Sequence, residues 1–182
     1  PFVGGLPYIV TSRNSRELLD NLGKDNFPVL FEGLHSCFHL NHPSLKDRFR
    51  MVRTHNIEHH YYSNLEKVER NYFKKYFFRL EAEKLRRFEK ILLGASSIAA
   101  ISPGDTAYMQ KKYRKAFYLP AFHSNTRVTS DTGHGKFVLY HGNLGVGENN
   151  EAALFLVNGV FSKMPHIRFI IAGNNPSREL KN

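Results

Sequence analysis

The sequence predicts an α/β protein with parallel sheets: one Rossmann-like unit, then the beginning of a second. Three observations carry this. Apolar stretches of strand length alternate with helical stretches along the 182 residues. The strand candidates are continuous apolar runs, as in parallel sheets covered on both faces. A polar, Gly/Ser/Thr-rich stretch at 123–135 (HSNTRVTSDTGHG) interrupts the pattern, and a β-α-β order restarts after it. The expected organisation is therefore most of a first unit at 1–122, a linker at 123–135 and the start of a second unit at 136–182.

The elements follow in order. SRELLDNL (15–22) reads as a short helix that opens near Ser15 and stops at Gly23. PVLFEG (28–33) is a buried strand between Pro28 and Gly33, and FRMVRTH (49–55) is a second. From 59 to 93, Leu65, Val68, Tyr72, Tyr76, Leu80, Phe88 and Leu92 recur at threes and fours, which predicts one long amphipathic helix ended by Gly94. SSIAAIS (96–102) is a strand. Ser102, Pro103 and Asp105 then open a helix over 104–114. FYLPAF (117–122) is a short strand. After the linker come strand 136–142, helix 149–162 and strand 166–173.

Composition narrows the class. Hydrophobic residues at 41% and charged residues at 23% are those of a globular protein. No apolar run approaches the ~20 residues of a spanning helix, and PFVGGLPYIV lacks the basic and apolar regions of a signal peptide. The one cysteine, Cys37, excludes an internal disulfide and a multi-cysteine zinc site. It reads as a buried structural residue in a reducing, cytoplasmic setting. The net charge of +10 points to an anionic partner: nucleic acid, a phospholipid surface or a phosphorylated small molecule.

Three motifs carry chemistry. RTHNIEHHYY (53–62) contains H-x-x-E-H in His55, Glu58 and His59. That pattern binds zinc when both histidines share one helical face. Here His55 directly follows a strand, and a third protein ligand is wanting. Glu81, Glu83 and Glu89 lie on the same predicted helix, too far along it to reach back. GNLGVGEN (142–149) joins a strand to a helix, where backbone N–H groups bind phosphate. It is neither G-x-G-x-x-G nor a P-loop, and a bare turn explains it as readily. The long helix carries Lys67, Arg70, Lys74, Lys75, Lys84, Arg86, Arg87 and Lys90. A solvated face accounts for them, and so does an anionic membrane surface, given Tyr72, Phe73, Tyr76 and Phe77 alongside. No nucleic-acid-binding signature accompanies the charge, so no specific nucleic-acid partner is expected. His35 and His60 read as packing or surface histidines. Tyr61 and Tyr62 suit either a sugar site or the helix core.

The order of these parts resembles the family 4 (group 1) glycosyltransferases of the GT-B fold. The resemblance runs through RTHNIEHHYY, RLEAEKLRRFEK, SSIAAISPGD, FYLPAF and FVLYHGNLGVGENNEAALFL to HIRFIIAGNNP, and covers nearly the whole chain. It implies two Rossmann-like domains facing across a cleft, the first binding acceptor and the second the nucleotide sugar. Transfer then retains the anomeric configuration, with no metal and no cofactor beyond the nucleotide-sugar donor. His55 looks like the family's catalytic histidine. Asn56, Glu58, Tyr61 and Ser102 would line the cleft on the acceptor side, and Gly142 and Asn143 would sit by the donor phosphates. The resemblance further implies a glycan or lipid-linked acceptor and a cytoplasmic protein attached peripherally at the inner face of the cell membrane.

Two departures are visible. The stretch after the glycine turn has no Lys or Arg where the family carries a basic pair. The distal E-x7-E region would fall after Asn182; Glu81 and Glu89 have that spacing but belong to the first domain. The chain thus reads as the middle of an enzyme, not expected to catalyse transfer alone. The alternatives are a non-catalytic anion-binding module and an H-x-x-E-H zinc hydrolase.

Overall fold

The computed structural model describes residues 4–130 and 132–181. The chain forms two compact units. One holds the chain up to Glu66 together with Phe73–His123; the other holds Lys67–Tyr72 and the chain from Ser124 onward.

The first unit is built on a four-stranded parallel sheet: β1 (Val29–Glu32), β2 (Arg50–Thr54), β3 (Ser97–Ala100) and β4 (Ala116–Tyr118), in that spatial order. Register places Phe31, Val52, Ile98 and Ala116 in one row across the sheet. That row is the floor of the core, where it meets Leu34, Leu40, Leu45, Leu85, Leu92 and Met109. Cys37 lies in the same core, fully buried, and burial pushes its thiol up to about 12. It is therefore a packing residue and not a nucleophile.

The helices follow from local signals. Ser15 caps α2 (Arg16–Leu22) by accepting from the Leu18 N–H, after the single turn α1 (Tyr8–Thr11). Ser102 caps α5 (Pro103–Tyr113) in the same way, with Pro103 in the first turn.

The long helix differs from expectation. The stretch is two helices, α3 (Glu58–Val68) and α4 (Tyr72–Phe88), followed by a 3-10 segment at Glu89–Gly94. At the break the Asn71 N–H donates to Glu69 Oε1 at 2.8 Å. This local bond offers the backbone an alternative to the helical ladder. Periodicity did not reveal the break because the threes and fours run straight across it, yet Val68, Tyr72, Tyr76 and Leu80 of that stripe are exposed, and contact between the two helices is made elsewhere: Tyr62 of α3 packs on Phe78 of α4 with ring centroids 6.0 Å apart.

The two faces of the sheet are packed differently. Sequential strand order needs crossovers that all step in one direction. Right-handed crossovers, the near-universal sense, then fall on one face. On the other face the edge strands expose Leu30 (54%) and Phe117 (39%), while Ala99 of the inner strand β3 is fully buried.

In the second unit β5 (Val138–His141) pairs in parallel with β6 (Phe169–Ala172). Between them runs α6 (Gly147–Phe155), continuing as a π turn at Leu156–Val160 and a 3-10 turn at Phe161–Lys163. The helix expected over 149–162 thus starts two residues earlier and loses its α geometry after Phe155. A last short helix is α7 (Arg178–Lys181). Leu144, Ala153 and Leu154 are the buried centre. Among the described residues of the chain, no helix is long and apolar enough to cross a membrane.

Candidate functional site

Parallel strands deliver polar residues to the carboxyl edge of the sheet, where open α/β sheets bind ligands. In the first unit that edge carries Glu32 at the end of β1 and His55 just after β2. Ser102 follows β3, whose Ala100 pairs with Thr54. His55 sits in a bend, half-buried, with Nε2 2.8 Å from Glu32 Oε2. Glu32 Oε1 also accepts from Arg53 Nη1 at 3.3 Å, and the Arg53 guanidinium lies 5.1 Å over the Phe122 ring. Glu32 and Arg53 are direct register partners on β1 and β2, so the sheet itself sets this contact.

Two carboxyls near His55 are driven in opposite directions. Burial raises the Glu32 carboxyl, but hydrogen bonds from His55 and Arg53 and the Arg53 charge outweigh it, so Glu32 lies below the ordinary range. Glu58, in the first turn of α3 and only 7% exposed, is raised by burial; the His55 and Arg13 charges oppose the rise without cancelling it. His35, beside Gly33 after β1, is lowered by burial and by the Arg13 and His55 charges. Carboxyls of divergent acidity around a half-exposed imidazole form an environment suited to proton handling.

The other expected residues divide. Asn56 is exposed beside His55. Tyr61 lies one turn beyond Glu58, half-buried, its ring edge-on to Tyr62 at 6.0 Å. The Ser102 hydroxyl accepts from the Asp105 N–H at 3.1 Å, so it is engaged as a helix cap. Glu32, Arg53, Arg13 and His35 join the cluster without having been singled out as site residues. The available signal was a charge closing an apolar run, as in PVLFEG: a strand that ends on Glu carries that charge to the carboxyl edge.

The H-x-x-E-H spelling is split between two carboxylates. His55 faces Glu32. His59 is buried, with Nδ1 3.1 Å from Glu89 Oε2. The expectation that Glu89 cannot reach back is therefore wrong, and the break at Glu69–Asn71 is the reason. Glu89, 1% exposed, also accepts from Tyr108 Oη and Tyr113 Oη, each at 3.0 Å, and from Lys112 Nζ. Burial pushes its carboxyl up, yet His59 and Lys112 bring it down to about 2. Among the described residues no group of three or more His, Cys, Asp or Glu is arranged to hold a metal ion.

In the second unit Gly142 and Asn143 follow β5. They line a shallow depression with His141, Ala172, Gly173 and Asn174. Asn143 Oδ1 accepts from the Gly145 N–H at 3.1 Å, and its backbone carbonyl accepts from Asn149 Nδ2 at 3.0 Å. These bonds fix the turn and engage Asn143 Oδ1 and the Gly145 N–H within it. A Cβ on Gly173 would stand 1.8 Å from the Gly142 carbonyl oxygen, so only glycine permits this approach of the two strand ends.

No family model, curated protein or solved structure matches this chain.

Proposed function

We propose that the chain is part of a retaining glycosyltransferase of GT-B type. It would move a sugar from a nucleotide sugar to a glycan or lipid-linked acceptor, with His55 at the transfer site. The observation that carries the reading is the position of His55: half-exposed at the carboxyl edge of a parallel sheet, hydrogen-bonded to an ionised Glu32 and adjacent to the buried Glu58. Sugar transfer builds positive charge on the migrating sugar and negative charge on the leaving phosphate. An imidazole held by a carboxylate suits the first need, by accepting from a sugar hydroxyl and by tolerating nearby cationic character. The glycine turn at Gly142 and Asn143, at the carboxyl ends of β5 and β6, supports a phosphate-contacting role there.

The test uses a protein that carries this chain together with a complete donor domain. His55→Ala is expected to lower turnover at least ~10²-fold, the scale of a positioned acid–base group, with an unchanged circular dichroism spectrum. Equal turnover in parent and variant removes His55 from the site.

A second reading concerns α4 and is compatible with the first. Its first turns expose Phe73 (89%) and Tyr76 (64%) beside the exposed Lys74, Lys75 and Arg79, a composition that suits an anionic bilayer surface. Arg86 and Arg87 contribute less than their charge suggests, because both pair with Glu83 at 2.7 and 2.8 Å. Lys74→Glu with Lys75→Glu is expected to abolish sedimentation with phosphatidylserine vesicles at low salt. Undiminished sedimentation ends this reading.

A further inference from the structure

We propose that Glu32 is a positioning residue for His55: it fixes the imidazole as the Nε2–H tautomer and leaves Nδ1 as the nitrogen offered to ligand. The proposal rests on the transfer site placed at His55 above.

The geometry supports it in three steps. First, Glu32 Oε2 lies 2.8 Å from His55 Nε2, a short contact for this donor and acceptor. Second, Glu32 is an acceptor only. The Arg53 guanidinium holds its other oxygen at 3.3 Å, and the pair stands on register partners of adjacent strands, so the carboxylate cannot easily swing away. A carboxylate that cannot donate obliges Nε2 to carry the proton. Third, neutral imidazole has one N–H, so the lone pair then resides on Nδ1. A substrate hydroxyl would donate to Nδ1, and Nδ1 would accept any proton that leaves it. In the transfer the hydroxyl oxygen bonds the anomeric carbon as that carbon's bond to the donor phosphate breaks, and the electron pair of the broken bond leaves on the phosphate.

Arg53 belongs to the same device. It is clamped between Glu32 and the Phe122 face, so the three side chains Arg53, Glu32 and His55 form a chain that hands orientation from strand to strand. The sign of the local field also follows. It is negative at the ring, set by a half-exposed carboxylate 2.8 Å from Nε2.

The test is nuclear magnetic resonance on ¹⁵N-histidine-labelled chain, without ligand. A hydrogen-bonded ring N–H exchanges slowly enough to be seen downfield. The expected result is such a signal from His55, assigned to Nε2 by its two-bond couplings, lost in Glu32→Ala and shifted upfield in Glu32→Gln, whose amide oxygen still accepts but carries no charge. His59 serves as internal control and keeps its own pattern, which shows that the variants are folded. A His55 signal assigned to Nδ1–H, or an Nε2–H signal unchanged in both variants, overturns the proposal.

Turnover supplies the second arm, in the protein with a complete donor domain. Glu32→Gln is expected to lower kcat about 10-fold or more while KM for the nucleotide sugar changes less than about 3-fold, because binding contacts stay in place. Equal falls in kcat for Glu32→Gln and for a distant stability-matched variant would show a merely structural role and overturn the proposal. The two readings fail separately. A correct ring signal with no sugar transfer by the folded parent leaves Glu32 as the partner of His55 and sinks the glycosyltransferase reading instead.

Discussion

Glu89 is a heavily committed side chain of the first unit. One carboxylate, 1% exposed, receives Lys112, Tyr108 and Tyr113 and faces His59, tying α3, the end of α4 and α5 together. Its removal leaves buried donors without an acceptor, so Glu89→Ala is expected to cost on the order of 3–5 kcal/mol by urea unfolding. The pH dependence has a definite sign. Glu89 falls from the ordinary 4.5 to about 2 on folding, so its contribution is complete above about pH 4.5 and is lost as pH falls toward 2. The stability gap between parent and Glu89→Ala should be constant near neutrality and narrow through that acidic window. A gap that stays constant down to pH 2 would show that Glu89 is not the ionised acceptor. The sequence displayed His55, Glu58 and His59 but not their partners. Glu32 lies 23 residues from His55 and Glu89 lies 30 from His59, and nothing local in either stretch announces the pairing.

Among the elements, those with terminal signals were legible. Ser15 and Ser102 cap their helices as the spelling suggests, and the strands fall inside the apolar runs that predict them except β4, which is Ala116–Tyr118 where 117–122 was expected. The α3–α4 break was not legible, because a stripe that continues through threes and fours conceals a three-residue interruption at Glu69–Asn71, and spacing alone does not tell that Val68, Tyr72, Tyr76 and Leu80 of the stripe stay exposed. Two substitutions test the elements. Ser102→Ala removes the cap of α5 and is expected to cost about 1 kcal/mol. Should it instead abolish sugar transfer at unchanged stability, the Ser102 hydroxyl has a ligand role beyond capping. Gly173→Ala sets a Cβ 1.8 Å from the Gly142 carbonyl and must part the ends of β5 and β6. The expected cost is about 1–3 kcal/mol, read as loss of amide protection in β5 and β6.

At the scale of the whole molecule, the restart of the β-α-β pattern after a polar stretch was visible in composition, and the compact units change over between His123 and Ser124. The described residues between 124 and 137 are exposed throughout. Limited trypsin treatment is therefore expected to cut first after Arg127 and Lys136, ahead of the lysines and arginines of α4; first cleavage within α4 would contradict this. The exposure of the edge strands on the second face of the four-stranded sheet was not visible. Continuous apolar runs cannot tell a strand covered on both sides from one whose partner face carries Leu30 and Phe117 to the surface.

The central claim is sugar transfer at the carboxyl edge of the first sheet. It is tested most directly by offering a panel of nucleotide sugars, in chelator-containing buffer, to a folded protein that carries this chain and a complete donor domain, with proton NMR of the product's anomeric centre. Transfer from one donor, with the donor's anomeric configuration retained, is the expected result. Absence of transfer from every donor, or an inverted product, would contradict it.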